Sequence, residues 1–533
     1  MAYYKDLREY IQLLEKKGLL WRIKRPIVKE TELSPLVRWQ YRGLPEEKRK
    51  AFLFENVIGL NGRKYDVPVL VGGMAANSEV YATGMGCALD KVHERWVEAQ
   101  RKPIPPRLVN SGPVQEEIHT GKELEEEGLD EFPFPIDIPG FDGLRRTTAT
   151  HFFSKDPETG AVNNGNYSGN VSARNRMTIG INRAAHIWIH LEKAKKLGKP
   201  LQVALVTGVV PAVSFVSVAK VTYGIDEMAV AGGLAGEPIE VVKCQTVDLE
   251  VPATAELVVE GVVSLEENEE QTGSFGEYCG YMAETTLRPI FNITCISHRK
   301  NPIFTTLISQ MPPSESSKIR QVAYESNLLK FLKYDCNLPG VLQVVLYEAS
   351  GSWHYCVIQL KKTHNSQAWQ ALNAIVGFES HIGKFIIAVD EDIDPRDHDA
   401  VIWAMSFRVQ PHRDTRITEG RMGILDPSTA PTGSPRAELV YPFPTGGSAI
   451  LIDATRKWDY PPVALPGKEF MERARQIWEE LDLPPLTPKT PWHGYELGYW
   501  PEKYSEAARL NLEDRLYELG ERRHKERGPF IVQ

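Results

Sequence analysis

Ser314–Tyr334, SESSKIRQVAYESNLLKFLKY, reads as one helix that divides the chain. Pro312 and Pro313 precede it, Ser314 or Ser316 can cap its first turn, and Asn337 with Pro339 closes it. On its C-terminal side strands and helices alternate: GVLQVVLYEA (340–349), SQAWQALNAIV (366–376), KFIIAVDEDI (384–393) and DHDAVIWAMSF (397–407). That alternation predicts an α/β unit. On its N-terminal side, from His151 to Ser309, short β-rich runs such as PLQVALVTG, IEVVKC and RPIFNITCISHR are separated by turns and two helical pieces, which predicts a β core. The expected fold class is α+β, with a first domain over 1–313, a bridging helix over 314–335, an α/β domain over 336–480 and a tail over 481–533.

Farther out, the first 120 residues read as an α/β portion of the first domain. Leu7, Ile11, Leu13 and Leu14 recur at helical spacing between Lys5 and Lys17, and Gly18 stops that helix. LLWRIKRPI (19–27) and PVLVGGM (68–74) read as strands. Pro103–Phe141, rich in Pro, Gly and acid, reads as a surface connection. A Pro-rich stretch from Pro484 to Pro501 leads into a charged terminal helix, Tyr504–Arg527, placed to wrap a neighbouring subunit.

Composition narrows the function. The 533 residues are 42% hydrophobic and 25% charged, an ordinary globular balance sufficient for two or three domains. A net charge of -8 and a pI near 6.0 argue against a nucleic-acid surface, and the basic run Arg522, Arg523, Lys525, Arg527 reads as a solvated helix face. Six scattered cysteines form no CxxC pair, so neither a disulfide framework nor a zinc knuckle is expected. The N-terminus, MAYYKDLREY, is charged at once, and a cytoplasmic location is the expectation. Leu201–Ala219 is the longest charge-free apolar stretch; its polar and proline residues predict buried strand and turn rather than a membrane span. TGMG (83–86) and GGLAG (232–236) do not match GxGxxG and read as tight turns, and GSFGE (273–277) is not a GxSxG elbow.

Three separated residues carry chemistry of one kind. Asn163 opens NNGNYS, His186 lies in AAHIWIH and Glu227 in GIDEMA. An amide oxygen, an imidazole and a carboxylate suit manganese, magnesium or ferrous iron better than a thiolate-type zinc site does. Spacing alone favours a packed core histidine and a turn asparagine over a metal site. Glu277, in SFGEYCGY, sits between glycines and aromatics; there burial would raise its pKa and suit it to general-acid work, although a surface-turn glutamate reads the same way.

The order DLREYIQLLEKKGLL, NNGNYS, HIWIH, DE, VPATAELVVEG, GSFGEYCGY, GKFIIAVDEDID, DAVIWAM and LIDATRKW resembles the UbiD family of decarboxylases from about residue 5 to about residue 460. The resemblance implies a flavin-binding first domain with a split-barrel-like β core, prenylated FMN as cofactor, and a divalent metal (manganese, iron or magnesium) that grips the flavin phosphate, with potassium beside it. The metal ligands implied are Asn163, His186 and Glu227, and the Met177–His186 spacing agrees with the family pattern. Asn166, Tyr167, Ser168 and Ala185 align with flavin contacts, Lys384 with a lysine that reaches the phosphate, and Glu277 with the acid that protonates the product after carbon dioxide leaves. It further implies an aromatic or α,β-unsaturated carboxylate as substrate, a homo-oligomer (dimer or hexamer), a flavin prenyltransferase as cofactor supplier, and no nucleic-acid or membrane partner.

The family pattern is also broken. Its active-site arginine would stand at Ser168 and its first glutamate at Thr272, and both are missing. Losing the pair together leaves no orphan charge, but it predicts a site without a guanidinium near Glu277 and an unusual substrate. One candidate is an aromatic coenzyme A thioester, as in the phthaloyl-CoA decarboxylase branch. A phenol or arene carboxylase and a non-catalytic subunit of a larger complex are the alternatives.

Overall fold

A computed structural model describes residues 3–181, 185–219, 221, 223–270, 275–283, 287–421, 425–429 and 447–528, without the side chains of 266–270. Two β systems and the helix between them organise the chain. The larger sheet has nine strands, paired antiparallel throughout, in the order Val162–Asn166, His151–Lys155, Leu201–Thr207, Leu257–Glu270, Leu287–His298, Arg176–Gly180, Ser168–Ala173, Arg146–Thr147. Glu117–Thr120 pairs with the far end of Leu287–His298, so that long strand serves two neighbours along one side. A small sheet of Leu20–Ile23, Ala51–Phe54, Val69–Val71 and Phe304–Thr306 joins the N-terminal portion to this domain.

Glu315–Lys330 is a helix, as its caps predict. Ser314 accepts the N–H of Ser317, whose hydroxyl in turn accepts the N–H of Ser314. Ile319 and Ala323 face the first core, whereas Tyr324 and Leu328 face the second, so the helix is buried by both halves. Beyond it lies a five-stranded sheet, Val341–Leu346, Tyr355–Leu360, Phe385–Asp390, Gly447–Asp453 and Thr415–Arg421. The helices Ser366–Phe378 and His398–Arg408 cover opposite faces: Leu372 and Ile375 pack with Ile386, and Val401 and Ala404 with Ile387. Successive strand residues point to opposite faces, which is how one short strand serves two helices.

Four expectations need correction. Leu201–Ala219 is strand and then helix, Pro211–Val218, with proline in its first turn. The helix is buried almost all round, so no apolar stripe marks it in the sequence. Pro103–Phe141 is more than a surface connection, because Leu124, Leu129, Phe132 and Phe134 enter the core. Gly232 and Gly233 belong to the helix Glu227–Ala235 rather than to a turn; a Cβ at Gly232 would stand 2.2 Å from the Ile104 carbonyl oxygen. The terminal segment is two helices, Glu502–Leu512 and Leu516–Lys525, broken at Asp514, whose φ is 57°. Among the described residues no helix is long and apolar enough to cross a membrane.

Candidate active site

Asn163 lies on the edge strand Val162–Asn166, His186 begins the helix His186–Lys196 and Glu227 begins the helix Glu227–Ala235. All three line one cavity of about 170 Å³. His186 Nδ1 stands 3.6 Å from Glu227 Oε1, and Glu227 Oε2 accepts the backbone N–H of Asn164 at 3.2 Å. Asp226 caps the Glu227 helix by accepting the Met228 N–H. Two helix N-termini therefore open on the same space, an arrangement that favours anions. Asn163 Nδ2 and Asn164 Oδ1 are buried without a partner. Each would cost about 1–3 kcal/mol left open; a phosphate would accept from the Asn163 amide N–H, and a cation would take the Asn164 oxygen. The amide, imidazole and carboxylate therefore fit a divalent cation of hard to borderline character.

The rest of the flavin-contact set is divided. Tyr167 and Ala185 line this cavity; Asn166 and Ser168 do not. The Asn166 side chain donates to the carbonyls of Thr148 and Thr150, which fixes the loop between two strands. Ser168 pairs with Gly180 in the sheet, and Thr272 lies outside the described residues. Lys384 is absent from the lining as well; its ammonium bonds Asp426 at 2.8 Å and Ser428 at 2.7 Å. In its place the bridging helix contributes Tyr324 and the second domain Trp353, Glu379 and His381, four residues that sequence reasoning missed. Trp353 stacks on His381 with ring centres 3.9 Å apart, and His381 Nε2 is 3.2 Å from Glu379 Oε1.

Glu277 lines a neighbouring cavity of about 420 Å³, walled by Ile138, Phe141, Met282 and Met311 with Arg38 and Gln310. Its chain neighbour Tyr278 stacks on Trp353, a wall of the first cavity. Burial pushes the Glu277 carboxyl above its ordinary pKa of 4.5, against the pull of Arg146, Arg320 and Arg288. The expectation of a site without a guanidinium is thus corrected: Arg38 lines the Glu277 cavity, and three further arginines act on the carboxyl through their charge. Arg146 is buried, bonds Asp137 at 3.0 Å and donates to the Gly276 carbonyl at 2.7 Å, which fixes the turn that carries Glu277. Arg320 lies 4.0 Å from the Tyr278 ring centre. No local pattern marks these arginines in the sequence, because the fold collects them from three distant elements.

A β domain and an α/β domain share the first, polar cavity, as in a two-domain enzyme, and comparison with known proteins places it as a carboxy-lyase. The chain belongs to the UbiD family. Residues 107–312 match the 3-octaprenyl-4-hydroxybenzoate carboxy-lyase Rift-related domain and residues 318–454 its C-terminal domain, together well over half the chain. An uncharacterized protein of Aquifex aeolicus is 32% identical over 519 residues, covering 90% of this chain and 99% of its own. The UbiD-class enzyme HmfF of Pelotomaculum thermopropionicum, solved with FMN, is 31% identical, with a TM-score of 0.75 over 88% of this chain and 99% of that one. An evolved dimeric form of it, solved with prFMN, is 30% identical, with a TM-score of 0.73 over 87% and 98%. The vanillic acid decarboxylase of Sedimentibacter hydroxybenzoicus in closed form is 27% identical, with a TM-score of 0.77 over 90% and 100%.

Proposed function

We propose that the protein decarboxylates an aromatic or α,β-unsaturated carboxylate with prenylated FMN, held through a divalent cation at Asn163, His186 and Glu227, and with Glu277 as the acid. The carrying observation is the meeting of amide, imidazole and carboxylate, 64 residues apart from first to last, around one cavity at two helix N-termini. The cation would be manganese, iron or magnesium, with potassium beside the phosphate. Tyr167 and Ala185 would flank the flavin. Lys384 would reach the phosphate only by giving up Asp426, so its role as a phosphate contact requires that exchange.

When bound, the flavin supplies an electrophilic, electron-accepting ring. The chain's own residues do the rest. The apolar walls of the larger cavity exclude water and receive the hydrocarbon part of the substrate. Arg38, which lines the same cavity as Glu277, offers the carboxylate anchor that Ser168 lacks. The bond from the substrate carbon to its carboxylate breaks, carbon dioxide leaves, and Glu277 returns a proton to that carbon. In the carboxylating direction it removes the same proton. A cavity of about 420 Å³ accepts an aryl acid; for an aryl coenzyme A ester it would hold the acyl end alone.

The purified chain, produced alongside a flavin prenyltransferase, should exchange labelled bicarbonate into an aromatic or unsaturated acid. No exchange with any such acid or its coenzyme A ester, in a preparation whose cofactor is confirmed by mass spectrometry, would refute the reading. Assembly also belongs to this proposal, through the helix that precedes the tail. Lys468–Glu480 has no buried residue, and Phe470, Ile477 and Leu481 are exposed on or just beyond it, which suits a contact with a second copy.

A further inference from the structure

His119, Glu131 and His298 come together on the far side of the β domain, where Glu117–Thr120 pairs with the end of Leu287–His298. Their ligand atoms all lie within 4.8 Å of one another. His119 Nε2 is 3.1 Å from His298 Nε2, and His298 Nε2 is 3.6 Å from Glu131 Oε1. Two ligand atoms bound to one tetrahedral zinc ion at about 2.0–2.1 Å stand roughly 3.3 Å apart. Both measured separations are within a few tenths of an ångström of that span. Glu131 is 30% exposed at its side chain, free enough to close the third edge.

Tautomers sharpen the case. His298 Nδ1 is 2.8 Å from the Arg299 carbonyl oxygen, which can only accept, so this nitrogen carries the hydrogen. The Nε2 of neutral His298 therefore presents a lone pair toward His119. His119 Nδ1 lies 3.8 Å from a Glu123 carboxylate oxygen, beyond hydrogen-bond reach, so that contact does not fix its tautomer. With the His119 hydrogen on Nδ1, two lone pairs face each other at 3.1 Å and can share a cation; with it on Nε2, His119 donates to His298. Hydrogen-bonding the outer nitrogen of an imidazole to an acceptor, as His298 Nδ1 is bonded here, is also how proteins orient metal-bound histidines. A cavity of about 150 Å³ opens on this group, and Glu126 and Glu127 add negative charge to its wall.

We propose that His119, Glu131 and His298 form a second cation site, separate from the flavin cavity, that takes a zinc-class divalent ion and ties the acidic segment 122–131 to the sheet. The donor set of two imidazoles and one carboxylate suits zinc or cobalt(II), with water completing a tetrahedron. A proton on His119 is the competing occupant of the same gap.

The test is zinc binding by the full chain in a His186→Ala background, which removes a proposed ligand of the other site. After loading with zinc sulfate and desalting, that chain should retain one zinc, and its melting temperature should rise on zinc addition. His119→Ala or His298→Gln should weaken zinc binding by about a hundredfold or more and abolish the thermal shift. Glu131→Ala, at a half-exposed position that should leave folding intact, should weaken it as well. Cobalt(II) in place of zinc should give a tetrahedral absorption spectrum lost in the same variants. Equal zinc content with and without the two histidines, or no zinc retained by the His186→Ala chain, would overturn the proposal and leave a shared proton as the occupant.

Discussion

Glu277 is the residue on which the chemistry turns, and its environment makes two demands at once. Burial pushes its carboxyl upward and three guanidinium groups pull it down, leaving a net rise. An acid of raised pKa is protonated at low pH and loses its proton as pH climbs through that value. The decarboxylation rate should therefore fall on the alkaline side, with a midpoint above 4.5. Glu277→Gln should remove that limb and lower turnover by roughly 10²–10⁴-fold while leaving flavin binding intact. A variant with full turnover would show that another group supplies the proton. At this scale Asn163, His186 and Glu227 were legible through the order of the motifs around them. Arg146, Arg288 and Arg320 were not, because a lone arginine in a strand or helix reads as surface charge until the fold brings it to a partner.

At the scale of elements, the helix Glu227–Ala235 carries Glu227 at one end and is seated by its glycines. Gly232 rests on the Ile104 carbonyl and Gly233 on Ala99, whose oxygen would be 2.7 Å from an added Cβ. Gly232→Ala must push the helix away from that backbone, costing about 1–3 kcal/mol. It should also displace Glu227, so melting temperature and cation-dependent flavin binding should fall together. An unchanged flavin affinity in a destabilised variant would show that the helix does not position the site. Helices with one apolar face or clear caps, such as Leu7–Lys16 and Glu315–Lys330, were readable in advance. Pro211–Val218 was misread, because a segment buried on every side leaves no period to detect.

On the scale of the whole molecule, the first cavity is complete only when both halves meet, since Tyr324, Trp353, Glu379 and His381 reach it from beyond residue 314. Their contribution was illegible because it depends on how two separately readable domains dock, which no local pattern encodes. The tail makes a separate prediction. The full chain should sediment as a dimer or larger, and deleting 468–533, the helix Lys468–Glu480 with the tail, should yield a monomer; a monomeric full chain would remove both from any role in assembly. The central claim is that an amide, an imidazole and a carboxylate hold a cation that grips a flavin phosphate. Its most direct test is an FMN titration followed by flavin fluorescence, with and without manganese, in the native chain, His186→Ala and Glu277→Gln. Manganese should tighten FMN binding in the native chain and in Glu277→Gln, and have no effect in His186→Ala. Equal manganese-dependent binding in His186→Ala would contradict the account.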